Sequence, residues 1–221
     1  MKKLALSATG LLVLGIASVA HGASVISSTF DTDTEGWGVT DLLDNATTSG
    51  SWSPNWSGTV GLPAGSISTS DVGAGSTSFV APVKFLGDKL DYVGGSISFD
   101  MRNSVANYDG GLTYPITYLY GSGILITNNG TYPTVANQWA HDSTLLVPEA
   151  WHYMLGGPVT DSDFLAVLGN LEGVYLNSDW GWGADTGWLD NVTMSAVPIP
   201  GALWLFGSAL AGLLGTAIKR V

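Results

Sequence analysis

The chain predicts an all-β sandwich with one short helix, and three observations carry that expectation. Thirty glycines among 221 residues, with many Ser, Thr and Asn, suit short strands joined by tight turns. From Ser96 to Arg102 the chain alternates strictly, with Ile97, Phe99 and Met101 on one face and Ser96, Ser98, Asp100 and Arg102 on the other. Helical spacing stands out in one segment alone, so about nine strands and a single helix point to two packed sheets.

Taken in order, strands are expected near residues 25–30, 66–69, 77–85 and 96–102. Residues 112–120 follow, with Leu112, Tyr114, Ile116, Tyr118 and Tyr120 as the bulky set. Pro115 marks an edge or a bulge there, because it cannot donate to a ladder. Strands near 123–127 and 143–147 precede the helix, which Thr160 caps with Asp163 at the third position, and whose Phe164, Val167, Leu168 and Leu171 share a face. Strands near 173–177 and 187–196 close the domain. In the last of these Asp190 shares its period-two face with Val192 and Met194, which turns its carboxylate inward. A buried carboxylate needs a partner, and Arg102, backbone N–H groups or a cation would serve.

The ends bracket this domain, expected over residues 24–196. Residues 1–23 read as a secretory signal: Lys2 and Lys3, an apolar stretch, then small residues. The signal implies export through the Sec translocon. Residues 197–221 form a three-part tail: a hinge of Val197, Pro198, Ile199, Pro200 and Gly201, an uncharged apolar run over 201–218, then Lys219 and Arg220. At 1.5 Å per helical residue the run is roughly 27 Å long, against about 30 Å of bilayer hydrocarbon. A transmembrane helix over 201–218 is therefore expected, with its terminal cations cytoplasmic and the domain outside.

Charge and composition exclude several classes. Between the two end segments Lys84, Lys89 and Arg102 are the only Lys or Arg, against all eighteen carboxylates. Nucleic acid is not a partner, because its phosphates would be repelled. With no cysteine the exported part lacks disulfides, a thiol nucleophile and cysteine-bound zinc, so its core, bound cations or both must hold it.

Residues 79–88 (Phe79, Val80, Ala81, Pro82, Val83, Lys84, Phe85, Leu86, Gly87, Asp88), then Gly94-Gly95 and the 96–102 strand, resemble the core signature of laminin B (laminin IV type A) domains. Phe30-Asp31 with Gly36-Trp37 at the front, and Gln138-Trp139, residues 145–151, the helix and Leu189-Asp190-Asn191-Val192 downstream, continue the family order. This resemblance implies a jelly-roll sandwich similar to galactose-binding-like domains, a class that often recognises glycans and often holds structural calcium, and it implies no catalytic activity. The laminin versions sit among cysteine-rich modules, which this chain lacks, so a matrix role is analogy. The tail resembles the PEP-CTERM sorting signal in its Val-Pro-Leu-Pro-Ala form, with Ile199 and Gly201 in place of Leu and Ala. That resemblance implies recognition by a membrane-embedded exosortase, removal of the helix and transfer from the inner membrane to the cell surface. A plain C-terminal anchor is the alternative.

Two constellations carry candidate chemistry. Asp31, Asp33 and Glu35 before Gly36 copy the first half of a calcium loop, but Leu42 stands where the bidentate Glu belongs, so a strand-end cation site is the better form of the idea. The family order brings the first and last strands together, which would let Asp31 or Asp33 meet Asp190. A turn capped by its own Asp side chains is the competing reading. The second constellation is aromatic: Trp180, Trp182 and Trp188 in a Gly- and Asp-rich segment, and Trp52 and Trp56 in a Ser-rich one. Flat rings stack on the C–H face of a pyranose, and Asp179, Asp185, Asn177 and Asn55 would bond its hydroxyls; core packing is the competing role for each ring. His141 and His152 stand in no catalytic motif, and no Gly-x-Ser-x-Gly elbow occurs. The expectation is a non-enzymatic surface protein that binds polysaccharide, with a glycan-active enzyme using an unmarked carboxylate pair, or a passive envelope protein, as alternatives.

Overall fold

The computed structural model describes residues 24–43, 47–73, 75–105, 115–180 and 184–197. The expected signal, the expected membrane helix, Trp182 and the tail residues Pro198, Ile199, Pro200, Gly201, Lys219 and Arg220 lie outside the described residues. Among the described residues no helix is long and apolar enough to cross a membrane.

The described residues form thirteen strands: β1 (Val25–Ser28), β2 (Gly38–Leu42), β3 (Thr48–Trp52), β4 (Asn55–Ser57), β5 (Ser66–Ser70), β6 (Ser76–Val80), β7 (Ser96–Asn103), β8 (Thr117–Gly121), β9 (Ile124–Asn128), β10 (Trp139–Leu145), β11 (His152–Tyr153), β12 (Leu171–Asn177) and β13 (Thr186–Ser195). A six-stranded sheet runs β10-β7-β13-β5-β4, with β1 also beside β13; a seven-stranded sheet runs β11-β9-β8-β12-β6-β2-β3. Every pairing among them is antiparallel. Apolar residues from both sheets meet in one core, where Phe30, Phe79, Phe85, Phe99, Trp151 and Phe164 are fully buried.

Strand β7 shows how sequence sets a face: Ile97, Phe99 and Met101 point into the core while Ser96, Ser98, Asp100 and Arg102 stay partly exposed. β13 serves two partners on one side. Thr186 to Leu189 pair with β5, and Val192 to Ser195 pair with β1. At the handover its pairing with β7 steps from Asp190↔Asp100 to Thr193↔Ser98, so one extra residue bulges out, and Asn191 takes a φ of 51°. The bulge overturns the expected inward turn of Asp190. It shifts the phase of the strand, so Asp190 lies on the Asp100 side of the sheet, away from Val192 and Met194 in the core.

The expected 77–85 strand stops at Val80, and Val83–Phe85 form a 3-10 turn after Pro82. The 112–120 strand begins only at Thr117, after Pro115, and residues 112–114 lie outside the described residues. Strands β2, β3, β4 and β11 went unforeseen; β3 and β4 lack an apolar face to alternate, and β11 is two residues long. Helix α1 (Asp161–Gly169) starts as expected: Thr160 Oγ1 accepts from the Asp163 N–H at 3.2 Å, and Phe164, Val167 and Leu168 are buried. Leu171, expected on the helix face, instead opens β12.

Candidate functional site

Cross-strand register builds a row on the outer face of the six-stranded sheet. Trp139 pairs with Arg102, Arg102 with Trp188, Trp188 with Ser68, and Ser68 with Asn55. Directly opposed residues in antiparallel pairs share a face, so these five side chains stand side by side from edge strand β10 to edge strand β4. Both tryptophans are partly exposed. The Arg102 guanidinium lies 4.4 Å from the centroid of the Trp188 ring and donates from Nη2 to Asn137 Oδ1 at 3.2 Å. This cation–π contact fixes the ring's orientation.

One step along the strands lies a polar row. His141 Nδ1 sits 2.8 Å from Asp100 Oδ1, and the Asn191 amide donates to Asp100 Oδ2 at 2.7 Å. Next to them Asp190 is fully buried beneath the turn containing Leu62, whose N–H donates to Asp190 Oδ2 at 2.6 Å, while the Asn191 N–H donates to Oδ1 at 2.7 Å. Backbone N–H groups are thus its partners. Burial pushes the Asp190 carboxyl up to about 6; those two N–H bonds work against the shift, and the charges of Asp100 and Asp31 add to it.

The residues foreseen for calcium do not fit that ion as a set. Asp31 and Asp190 are near enough to feel each other's charge, but Asp31 accepts from the Thr29 hydroxyl and Asp33 accepts from the Glu35 N–H within its own turn. Glu35 accepts from the N–H groups of Thr29 and Phe30 and pairs with Lys84 at 2.5 Å. Against burial, which would raise it, the Lys84 ammonium and those N–H bonds hold the Glu35 carboxyl below its usual range. Among the described residues no group of three or more His, Cys, Asp and Glu is arranged to hold a metal.

Asn55, foreseen to bond sugar hydroxyls, stands in the row beside Ser68, while most other foreseen residues scatter. Trp180 is 5% exposed and meets Tyr132 edge-on, with ring centroids 4.4 Å apart, so its ring belongs to the core. Asp185 is buried and accepts from Asn103 Nδ2 and the Trp180 N–H, which closes the loop before β13. Asp179 sits in that loop, its N–H bonded to the buried Asn177. Trp52 and Trp56 are exposed but lie on different sheets, and Trp56 Nε1 donates to the Phe30 carbonyl at 2.7 Å, tying β4 to the end of β1. Of the foreseen aromatics among the described residues, Trp188 alone stands in the row. Trp139, Arg102, Asp100, His141 and Asn191 were not foreseen as its companions. The alternation of β7 already placed Arg102 and Asp100 on the polar face; what sequence withheld was the register that sets a tryptophan on each side. Among the described residues, the outer face of the seven-stranded sheet offers no such exposed row: Tyr118 and Tyr175 pair there but are buried with Leu42, against Val80, Tyr120, Leu125 and Met154.

Comparison with known proteins supplies a lineage for this fold. The chain is 29% identical over 190 residues to laminin subunit gamma-1 of Danio rerio, covering 81% of this chain and 11% of that protein. It is 28% identical over 201 residues to the Homo sapiens laminin subunit gamma-1, covering 85% of this chain and 11% of that one. The chain therefore spans about a tenth of the length of these curated relatives. Among solved structures, the L4b domain of human laminin alpha-2 superposes with a TM-score of 0.62 at 15% identity, covering 78% of this chain and 97% of that domain, which shows the shared fold. The family 11 carbohydrate-binding module of the cellulosomal cellulase Lic26A-Cel5E of Clostridium thermocellum superposes at 0.43 and 15% identity, covering 86% of this chain and 97% of the module. The Laminin B (Domain IV) family profile matches residues 78–202, more than half of the chain, and the chain belongs to that family.

Proposed function

We propose that the chain is an exported, non-catalytic surface protein whose sandwich binds polysaccharide through the outer face of the six-stranded sheet. The observation that carries this reading is the registered row of Trp139, Arg102 and Trp188. Two rings about two strand spacings apart, roughly 10 Å, match the separation of alternate hexoses in an extended glycan. Ring faces stack on the C–H faces of sugars, and the adjacent His141, Asp100 and Asn191 offer donors and acceptors to their hydroxyls. The family relationship and the secretory signal support an extracellular setting. The tail supports delivery by an exosortase, with the helix over 201–218 removed at the surface.

Affinity electrophoresis of the full chain through gels carrying the producing cell's own polysaccharide tests the binding. Trp139→Ala and Trp188→Ala should each weaken retention about tenfold, a loss of roughly 1.4 kcal/mol, and Trp188→Phe should keep most of it. Retention that neither alanine variant changes would remove the face from the reading. Release of reducing ends from the polymer would favour a glycan-active enzyme. Mass spectrometry of the mature C-terminus tests the sorting route: a terminus near Pro200 supports it, and an intact Val221 makes the tail a plain anchor.

A further inference from the structure

We infer that the glycan held by this face is a neutral one, gripped within its chain and laid across the strands from Trp139 to Asn55. The inference rests on the reading of the face as a polysaccharide site.

Geometry supplies the grip. The row begins on β10 and ends on β4, the two edge strands of the sheet path, so it runs from one edge to the other. Four spacings between five strands, at about 4.8 Å each, span roughly 19 Å, a length of about four hexoses. A polymer can therefore enter and leave at both edges, and nothing in the row selects a chain end. Trp139 and Trp188 serve alternate sugars, while Ser68 and Asn55 offer hydrogen bonds to the sugars beyond Trp188.

Charge supplies the class. Asp100 lies on the same face of β7 as Arg102 and pairs in register with the buried Asp190, whose carboxyl is pushed up by burial and by the charges of Asp100 and Asp31. Arg102 is already engaged by the Trp188 ring and by Asn137. The exported part sets eighteen carboxylates against three cations. A hexuronate polymer would bring a carboxylate with every sugar to a row that holds one cation, Arg102, two residues along β7 from Asp100, and the excess of negative charge would repel it. Neutral hexoses meet no such cost.

Titration calorimetry on the full chain, in a detergent without a sugar head group, tests this with neutral β-1,4-linked gluco- and manno-oligosaccharides from disaccharide to hexasaccharide. Hexuronate oligomers of the same lengths, and neutral oligomers with reduced ends, complete the set. Affinity for one neutral series should rise at least about tenfold from disaccharide to tetrasaccharide, then level off, and should be unchanged by end reduction. Ser68→Glu, next to Trp188 in the row, should flatten that rise and leave the melting midpoint in place. A plateau at the disaccharide, a dependence on the free end, or hexuronates binding as tightly would overturn the inference while leaving the face a glycan site. Retention of the cell's own polymer, lost in Trp188→Ala, with no binding to either neutral series would also overturn it, and no retention of any polymer would overturn the reading beneath it.

Discussion

Asp190 is fully buried, and that burial outweighs its two backbone N–H bonds, so its proton is bound more tightly in the folded chain than in the unfolded one. Its carboxyl titrates near 6 in the fold, against 3.8 for a free side chain. The contribution is therefore fully present below about pH 4 and is lost as pH rises through about 6, up to about 3 kcal/mol at 1.4 kcal/mol per unit. Burial raises the Asp142 carboxyl as well, which adds to the slope in the same direction. Denaturant titrations should thus show a more stable domain at pH 5 than at pH 7.5. Asp190→Asn should shrink that difference while costing about 1–3 kcal/mol, since its amide N–H would face a backbone donor. A second single-position test lies at Gly95. A Cβ there would sit 1.9 Å from the Ser195 carbonyl oxygen, which is backbone and cannot swing aside. Gly95→Ala should lower stability by about 2–3 kcal/mol, read from the same titrations, which gives a steric reason for the Gly94-Gly95 pair.

Helix α1 is the element whose construction is simplest to test. Thr160 meets the Asp163 N–H, and the Tyr153 hydroxyl donates to the Asp163 carboxylate, so the first turn is tied to β11. Thr160→Ala should cost about 1 kcal/mol, and Thr160→Ser should restore most of it, measured as a shift in the unfolding midpoint. This cap was legible in sequence because capping is local, and the β7 alternation was legible because one face is buried throughout. β13 was legible as a strand but not in phase. A single extra residue at Asn191 inverts the faces on either side of it, and the partner change from β5 to β1 that accompanies the bulge depends on long-range pairing. For the same reason Trp180 and Trp188 could not be told apart. They lie eight residues apart in similar Gly- and Asp-rich surroundings; Tyr132, nearly fifty residues upstream, draws the first into the core, while Arg102 holds the second on the surface.

The balance of charge over the domain bears on how it can hold a polymer at all. With eighteen carboxylates and three cations over residues 24–196, long-range forces repel anions and favour no neutral chain, so any binding has to come from contact. Ring stacking and hydrogen bonds at the Trp139–Arg102–Trp188 row act over a few ångströms and are scarcely screened. Affinity for a neutral polysaccharide should therefore change by less than about twofold between about 0.05 and 0.5 M salt, a range over which the screening length falls from above 10 Å to well below it. Gel retention at the two salt concentrations measures this directly. A steep loss with salt would mean that Arg102 acts as a free cation toward an anionic ligand. In that case Arg102→Lys should keep binding while Arg102→Gln loses it. If Arg102 instead orients the Trp188 ring through its flat guanidinium, Lys and Gln should weaken binding alike.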